Sequence, residues 1–192
     1  MATGERIEVA RAAGGSAVIE LLAGDITTVS VDAIVNAANE PLAGGGGVDG
    51  AIHHAAGPEL MAELRARYRG CPTGGAVITA SGRLADHGVK WVVHAVGPIW
   101  RGGGRAEAEL LASAYAKALH LADQAGAHSV AFPAISAGVY GYPLDDAAAV
   151  ALRSVREGLA GVHTVDRVVF VLFDSDVMHS FERALAEMTA EA

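Results

Sequence analysis

Cysteine, lysine and long apolar runs are all scarce in this chain. Its single cysteine, Cys71, excludes an internal disulfide and a cysteine-rich zinc site. Only two lysines occur, Lys90 and Lys117, and the net charge is −8, so no broad basic surface for nucleic-acid backbones is expected. No apolar run reaches the roughly 18 to 20 residues that span a bilayer. Because no stretch resembles an N-terminal signal peptide either, we expect a cytoplasmic protein that does not associate with membranes.

The composition indicates one globular domain over residues 1–192. Hydrophobic residues make up 52% and charged residues 19% of the chain, a balance typical of a folded protein with a continuous core. There is no internal repeat, low-complexity linker or domain boundary. The 24 glycines are informative mainly through their clustering.

Apolar runs alternate with helical patterns along the chain. This alternation predicts a three-layer α/β/α sandwich with a mixed, mostly parallel sheet and helices on both faces. An antiparallel hairpin across Gly14 and Gly15 is expected at one edge. The predicted strands are Arg6–Ala10, Val18–Leu22, Ala33–Val35, Val77–Thr79, Trp91–Val96, Val130–Phe132 and Val168–Phe173, and the predicted helices are Val48–Ala56, Glu59–Arg69, Ala106–Ala125, Asp145–Leu159 and Asp176–Glu187.

The long helix over Ala106–Ala125 has an apolar stripe at three- and four-residue spacing. The residues of this stripe, which is predicted to face the core, are Leu110, Ala114, Lys117 and Leu121. Its acidic residues, Glu107 among them, are expected to stay solvated.

Ile34 to Gly57, IVNAANEPLAGGGGVDGAIHHAAG, is the most informative segment of the chain. Its glycines lack the Cβ atoms that would keep a ligand from the backbone, so their N–H groups can converge on an anion. The helix after them adds the positive end of its dipole. Asp49 is out of place at a pure phosphate site, which suggests that the segment both binds and reacts.

A second glycine-containing loop follows the predicted strand at Val130–Phe132. It carries Ser136, Gly138 and Gly141 just before another helix, so its amides can also meet an anion. Two such loops favour a diphosphate over a single phosphate. Asp25, after an earlier strand, is a candidate acceptor for an exocyclic amine.

Four catalytic templates come close and are disfavoured. Gly45, Gly47 and Gly50 fit G-x-G-x-x-G, but the loop is too long for a dinucleotide fingerprint, and Asp49 would face the pyrophosphate. No P-loop motif occurs. The segment around Ser136 resembles a nucleophile elbow but begins with alanine. The adjacent histidines 53 and 54 lack the spaced partners of a zinc helix, so no metal site is predicted.

Six segments together resemble the macrodomain family, and most of all its hydrolytic MacroD-type branch. The likeness runs from about Val18 to Phe181. The segments are GDIT at 24–27, DAIVNAAN at 32–39, GGGGVDGAIHHAAG at 44–57, CPTGGA at 71–76, HAVGP at 94–98 and SAGVYGYP at 136–143. The resemblance implies a cleft for ADP-ribose, removal of ADP-ribose from acidic side chains of proteins, and hydrolysis of O-acetyl-ADP-ribose.

The resemblance also implies a role for each matching residue. Asn39, Asp49 and His53 would be catalytic: Asn39 holds the distal ribose and Asp49 orients or deprotonates a water. Asp25, near the Ile26 amide, would accept a hydrogen bond from the adenine amino group, and Phe173 would pack against the ring. No cofactor or metal is implied. The other implied ADP-ribose-binding residues are Gly24, Gly45, Gly46, Gly47, Val48, Ser136, Ala137, Gly138, Val139 and Tyr140.

Structural alternatives stay open for several of these residues. Asn36 is better explained as a brace of the turn after its strand, whereas a role in the binding site is the better explanation of Asn39. His53 is four residues beyond Asp49 and on the same helix face, where it can act through that carboxylate. Phe173 suits core packing as well as stacking. Tyr140, beside a glycine in a loop, favours ligand contact.

Alternatives of function stay open as well. A reader that binds ADP-ribose without turnover needs the loops but not Asp49, and an ADP-ribose 1″-phosphate phosphatase would share the pocket. The partners that the resemblance implies are ADP-ribose, ADP-ribosylated proteins and O-acetyl-ADP-ribose. Binding to ADP-ribosylated nucleic-acid ends and the oligomeric state are left open. Ala137 stands where this branch usually has a hydroxyl, so one phosphate contact is missing, at a cost of about 1 kcal/mol.

Overall fold

The structure is a computed structural model that describes residues 6–11 and 14–190. Within these residues, five α-helices surround one sheet of seven strands. The strands are β1 (Arg6–Ala10), β2 (Ser16–Ala23), β3 (Ala33–Ala37), β4 (Ala76–Ala80), β5 (Trp91–Ala95), β6 (Ser129–Phe132) and β7 (Arg167–Leu172), and the α-helices are α1 (Gly47–Ala56), α2 (Pro58–Arg67), α3 (Glu107–Gln124), α4 (Leu144–Leu159) and α5 (Ser175–Ala190).

The sheet is mixed and mostly parallel, as predicted. Its strand order is β1-β2-β7-β6-β3-β5-β4, with antiparallel pairs only at the two edges, β1 with β2 and β4 with β5. The interior strands pair in parallel, so their carboxyl ends meet at one rim of the sheet. That rim is where open α/β sheets bind ligands.

The predicted elements are all present, with ends shifted by about three residues or fewer. Two short 3-10 helices, Ile26–Thr28 and Gly82–His87, were not predicted. Both follow strands in loops, where local hydrogen bonds rather than apolar periodicity define the backbone. In the ranges described above, no helix combines the length and apolarity needed to cross a membrane.

Two apolar clusters, one on each face of the sheet, confirm the three-layer architecture. The larger joins one face to α3, α4 and α5, and includes Phe132, Phe170 and Phe181. The smaller joins the other face to α1 and α2 through Ile34, Ile52 and other aliphatic side chains. Their separation follows from strands that are apolar on both sides.

The predicted stripe of α3 is largely wrong. Ala114 is buried, but the other buried residues are Leu111, Tyr115, Ala118, Leu119 and Ala122, and Lys117 is exposed. An alanine-rich helix is apolar on several sides, so its pattern does not identify the buried face. The prediction that Glu107 stays solvated is also wrong, since only 2% of this residue is exposed.

Candidate functional site

A cleft of about 810 Å³ opens at the rim where the parallel strands end. All the predicted ADP-ribose-binding residues line it, so the structure brings them together, whereas His53 does not line it. The lining residues that the sequence did not indicate are small or apolar, apart from two aspartates: Ala37, Ala38, Ala51, Gly97, Pro133, Ala134, Ile135, Leu144, Val171, Leu172, Asp174, Asp176 and Val177. Small and apolar side chains occur throughout the chain, so the sequence alone does not mark which of them line a cleft.

Asn39 braces the first glycine loop, between β3 and α1. Its Nδ2 donates to the Gly44 carbonyl at 2.8 Å, and its Oδ1 accepts from the Ala43 N–H at 3.0 Å. Its backbone carbonyl also accepts from the Leu42 N–H. Asn39 therefore shapes the loop from within while it lines the cleft, and a contact with ribose remains a prediction.

The first glycine loop is packed tightly on the helix that follows. A Cβ atom on Gly50 would lie 2.7 Å from the Gly45 carbonyl oxygen, so only glycine fits there. Gly46 caps α1 without a side-chain hydrogen bond. The first N–H groups of a helix have no partners within it, so the start of α1 presents donors and a positive dipole end to the cleft.

Asp49 lies in the first turn of α1 with 6% of its surface exposed. Its Oδ1 accepts from Asn36 Nδ2 at 2.6 Å and is 3.5 Å from His53 Nε2. Its Oδ2 faces Gly45, because a Cβ atom on that glycine would lie 3.2 Å away. One carboxylate oxygen is thus held from inside the protein, while the other lies beneath the glycine loop.

The structure places His53 beside this carboxylate, as the alternative of action through Asp49 expects, and corrects the sequence interpretation of Asn36. His53 does not line the cleft, so its position does not support direct contact with a ligand; it contacts Asp49 instead. Asn36 is fully buried and does not brace a turn. Its amide joins Asp49 to His94, which is 58 residues further along the chain, a contact that no local pattern reveals.

The second glycine loop, Pro133 to Pro143, forms the opposite wall. Ser136 adopts a positive φ of 67°, and its backbone carbonyl accepts from the Tyr142 N–H at 3.1 Å. Within residues 6–11 and 14–190, the N–H groups of Gly138, Val139 and Tyr140 donate no hydrogen bond. These amides are therefore free to meet an anion, as the sequence predicted.

This loop is anchored from below by Tyr115 of α3. The Tyr115 hydroxyl accepts from the Ile135 N–H at 2.9 Å and donates to the Pro133 carbonyl at 3.1 Å. Gly97 lies against the turn, and a Cβ atom there would collide with Ser136 and Ile135. The start of the loop is therefore held in place by buried contacts.

A third segment supports the loop from outside. The Trp100 N–H donates to the Tyr140 carbonyl at 2.8 Å, and the Trp100 ring packs on Tyr142 at 4.6 Å between centroids. Glu107 fixes this segment by accepting from the N–H groups of residues 101, 103 and 105. Burial acts to raise the pKa of Glu107, but these donors outweigh it and hold that pKa below its ordinary value. The carboxylate is therefore ionised and braces the loop.

Tyr140 lines the cleft near Asp49. Burial, with the negative charges of Glu40 and Asp49, raises the pKa of its hydroxyl. The side chain is half-buried and lines the cleft, which agrees with the prediction of ligand contact. Tyr140 and Asp49 thus bring both loops to one end of the cleft.

Asp25 and Phe173 lie at other strand ends along the cleft. Asp25 Oδ1 accepts from the Thr27 N–H and hydroxyl, so this oxygen caps a turn. Phe173 comes directly after β7 and is 89% exposed, which overturns the core-packing alternative. Ile26 is buried beside Asp25. A flat, exposed ring and a carboxylate that line the same cleft are suited to a purine.

The sequence pattern of one family matches this arrangement of loops. The family is described as Macro domain, and its pattern matches residues 35–151, more than half of the chain. The O-acetyl-ADP-ribose deacetylase of Citrobacter rodentium is 51% identical over 172 residues, which is 88% of this chain and 96% of the relative. The chain belongs to the macrodomain family.

Solved structures give the same result for this macrodomain. The Oceanobacillus iheyensis macrodomain with MES bound superposes with a TM-score of 0.87 at 38% identity, covering 98% of this chain and 99% of that one. A mutant of the Oceanobacillus protein with ADPR gives a TM-score of 0.86 and 38% identity, with coverage of 97% and 100%. The fold is therefore that of a macrodomain throughout.

Ala137 stands at the position where the resemblance led us to expect a hydroxyl residue. It lines the cleft half-buried, and its N–H turns back to the Ala134 carbonyl at 3.3 Å. The neighbouring Ser136 does not replace the missing hydroxyl, since its Oγ is buried without a partner among the described residues. Diphosphate binding at this loop would therefore rest on backbone N–H groups.

In the described part of this macrodomain, no three His, Cys, Asp or Glu side chains are grouped closely enough to hold a metal ion.

Proposed function

We propose that this macrodomain binds ADP-ribose and hydrolyses O-acetyl-ADP-ribose and ADP-ribosyl esters on acidic side chains of proteins. The observation that carries the proposal is the buried carboxylate of Asp49 between two loops of free backbone N–H groups. The relatives support the reaction, because those of Citrobacter rodentium and Klebsiella pneumoniae, both 51% identical, are named O-acetyl-ADP-ribose deacetylase. The structure of the Oceanobacillus mutant with ADPR supports ADP-ribose as the ligand.

In the proposed complex, the diphosphate lies between the start of α1 and the amides of Gly138 to Tyr140. Both sides offer N–H donors, which suits a ligand with two phosphates better than one. The adenine lies on the exposed Phe173 ring near Asp25. The distal ribose then reaches Asn39 and Asp49 at the other end.

The reaction proposed is hydrolysis of an ester. A water held between Asp49 and a substrate phosphate oxygen attacks the ester, and the ester C–O bond breaks. Asp49 takes one proton from the water and returns it to the departing oxygen, so the products are the free acid and an ADP-ribose hydroxyl. A carboxylate near the distal ribose is suited to this proton transfer. In an alternative mechanism, the substrate phosphate alone activates the water, and variants of Asp49 distinguish the two.

The test measures binding and turnover separately. Wild type, Asp49→Ala and Asp49→Asn are titrated with ADP-ribose by calorimetry and incubated with O-acetyl-ADP-ribose and with a glutamate-linked ADP-ribosylated protein. Loss of a general base lowers the rate by roughly 10² to 10⁴. We expect both variants to lose turnover by about this factor while Kd changes little. Glu109→Gln, on the exposed side of α3, is the control and should match wild type.

Each other outcome identifies a different function. Binding by wild type without release of acetate or ADP-ribose would indicate a reader. Phosphate release from ADP-ribose 1″-phosphate, with no ester hydrolysis, would indicate a phosphatase. Unchanged turnover in Asp49→Ala would instead favour attack assisted by the substrate phosphate. We also propose a cytoplasmic location, which fractionation of the native cells would test.

A further inference from the structure

Three polar side chains are buried on the face of the sheet that α1 and α2 cover, among aliphatic neighbours. Asn36 of β3, Thr79 of β4 and His94 of β5 are all fully buried. The surrounding cluster is made of residues such as Ile34, Ile52 and others of the same kind. Buried polar groups are costly unless they are hydrogen-bonded, so their arrangement calls for an explanation.

These three side chains form a continuous line of hydrogen bonds that ends on Asp49. Asn36 Nδ2 is 2.6 Å from Asp49 Oδ1 and 3.1 Å from His94 Nδ1. His94 Nε2 is 3.0 Å from Thr79 Oγ1. Thr79 Oγ1 is 3.4 Å from the Val92 carbonyl oxygen, where the line meets the backbone.

Only one assignment of protons satisfies every bond in this line. An ionised Asp49 only accepts, so Asn36 turns its NH2 group towards it and donates its second N–H to His94 Nδ1. His94 then carries its proton on Nε2 and donates to Thr79, whose hydroxyl donates to Val92. Asn36 Oδ1 has no partner in the described residues, so the two N–H bonds alone determine the orientation of the amide.

His94 is kept in the form that this assignment needs. Burial, with the nearby His53, lowers the pKa of His94 to about 3. The ring is therefore neutral, and Nδ1 can accept. The sheet fixes the positions as well: Asn36 and His94 are paired residues of β3 and β5, and Thr79 lies diagonally across from His94 on β4.

We propose that Thr79 and His94 are positioning residues for the reaction, which hold the Asn36 amide so that it fixes Oδ1 of Asp49 and leaves Oδ2 for the attacking water. This inference rests on the proposed function. Oδ2 is the oxygen beneath Gly45 and is the one that Asn36 does not contact. A carboxylate free to rotate would spend less time in the productive orientation, so loss of the line lowers the rate of reaction more than ligand binding.

The test separates this role from general support of the fold. Thr79→Val removes the hydroxyl at constant shape, Thr79→Ser retains it, and His94→Phe removes both ring nitrogens. Ser81→Ala is the matched control, since the buried Ser81 hydroxyl directly follows β4 and, among the residues that the structure describes, donates only to the Val89 carbonyl, at 2.6 Å. We expect kcat to fall about 10-fold in Thr79→Val and more in His94→Phe, with the ADP-ribose Kd nearly unchanged. Thr79→Ser should recover most of the loss.

A double-mutant cycle with Asp49→Ala decides the matter. If Thr79 and His94 act through Asp49, His94→Phe has no further effect on kcat once Asp49 is alanine. The inference is overturned if the effect persists in that background, if Kd rises as much as kcat falls, or if Ser81→Ala is equally slow. Thr79→Val remains informative where His94→Phe fails to fold. An inactive wild type would instead refute the proposed function, so the two failures are distinguishable.

Discussion

Replacement of Tyr115 by phenylalanine removes one oxygen atom that anchors the second glycine loop. The Tyr115 hydroxyl is buried and makes two hydrogen bonds, accepting from Ile135 N–H and donating to the Pro133 carbonyl. The ring itself packs against Phe132 and Phe170 with centroids 5.5 and 6.1 Å away, and phenylalanine keeps both contacts. The substitution therefore isolates the hydrogen bonds.

The expected loss in the free energy of unfolding follows from the Ile135 N–H and the Pro133 carbonyl, which lose their partner. A buried donor without a partner costs about 1 to 3 kcal/mol. For a domain of this size each kcal/mol corresponds to about 2 to 4 °C in Tm, so a loss of 2 kcal/mol lowers Tm by about 4 to 8 °C. Urea unfolding should show a lower midpoint at constant m. ADP-ribose affinity should also fall, because the second glycine loop begins at Pro133 and Ile135, which these two bonds hold in place.

The matched control is Tyr142→Phe. Tyr142 is also buried, with 3% exposed, but its hydroxyl makes no hydrogen bond to the residues that the structure describes. We expect this variant to lie within about 0.5 kcal/mol of wild type. If Tyr115→Phe is as stable as Tyr142→Phe, or if its stability falls while ADP-ribose affinity does not, the proposed anchoring of the loop is refuted.

Three further perturbations test other parts of the structure. Glu107→Gln weakens the hydrogen bonds that hold residues 101–105, and with them the contact of Trp100 with the Tyr140 carbonyl. We therefore expect a several-fold higher ADP-ribose Kd by calorimetry, and an unchanged Kd would contradict this support of the loop. Gly46→Ala places a Cβ where the described residues leave open space, so no clash is expected, but alanine is a poorer N-cap than glycine and the free energy of unfolding should fall by about 1 kcal/mol. ADP-ribose binding should weaken, and equal binding would mean that no ligand approaches there. Burial acts to raise the pKa of Asp32, but bonds from Lys90 and other donors hold it at about 2, below the ordinary 3.8. Its stabilisation is therefore present above pH 4 and is lost as pH falls towards 2, so Asp32→Asn should flatten the stability profile in that window.

The strands were predictable because parallel strands buried on both faces read as continuous apolar runs, as from Val168 to Leu172. The glycine loops were predictable for a different reason, since clustered glycines mark close backbone approach, as where Gly50 of α1 meets the Gly45 carbonyl. The buried face of α3 was not predictable, because alanine suits either side of a helix. Glu107 was mistaken for a surface residue for a different reason: its partners are backbone N–H groups, which all residue types except proline carry and no side-chain pattern marks.

The sequence by itself determined the order of elements, the two loops and the presence of Asp49 at a helix start, since each is encoded by residues close together in the chain. Only the tertiary structure decided what surrounds that carboxylate. Asn36 meets His94 because β3 and β5 pair in one register, and a shift of one residue would turn both side chains to the opposite face. Contacts of this kind depend on strand pairing between distant segments, and no local pattern carries that information.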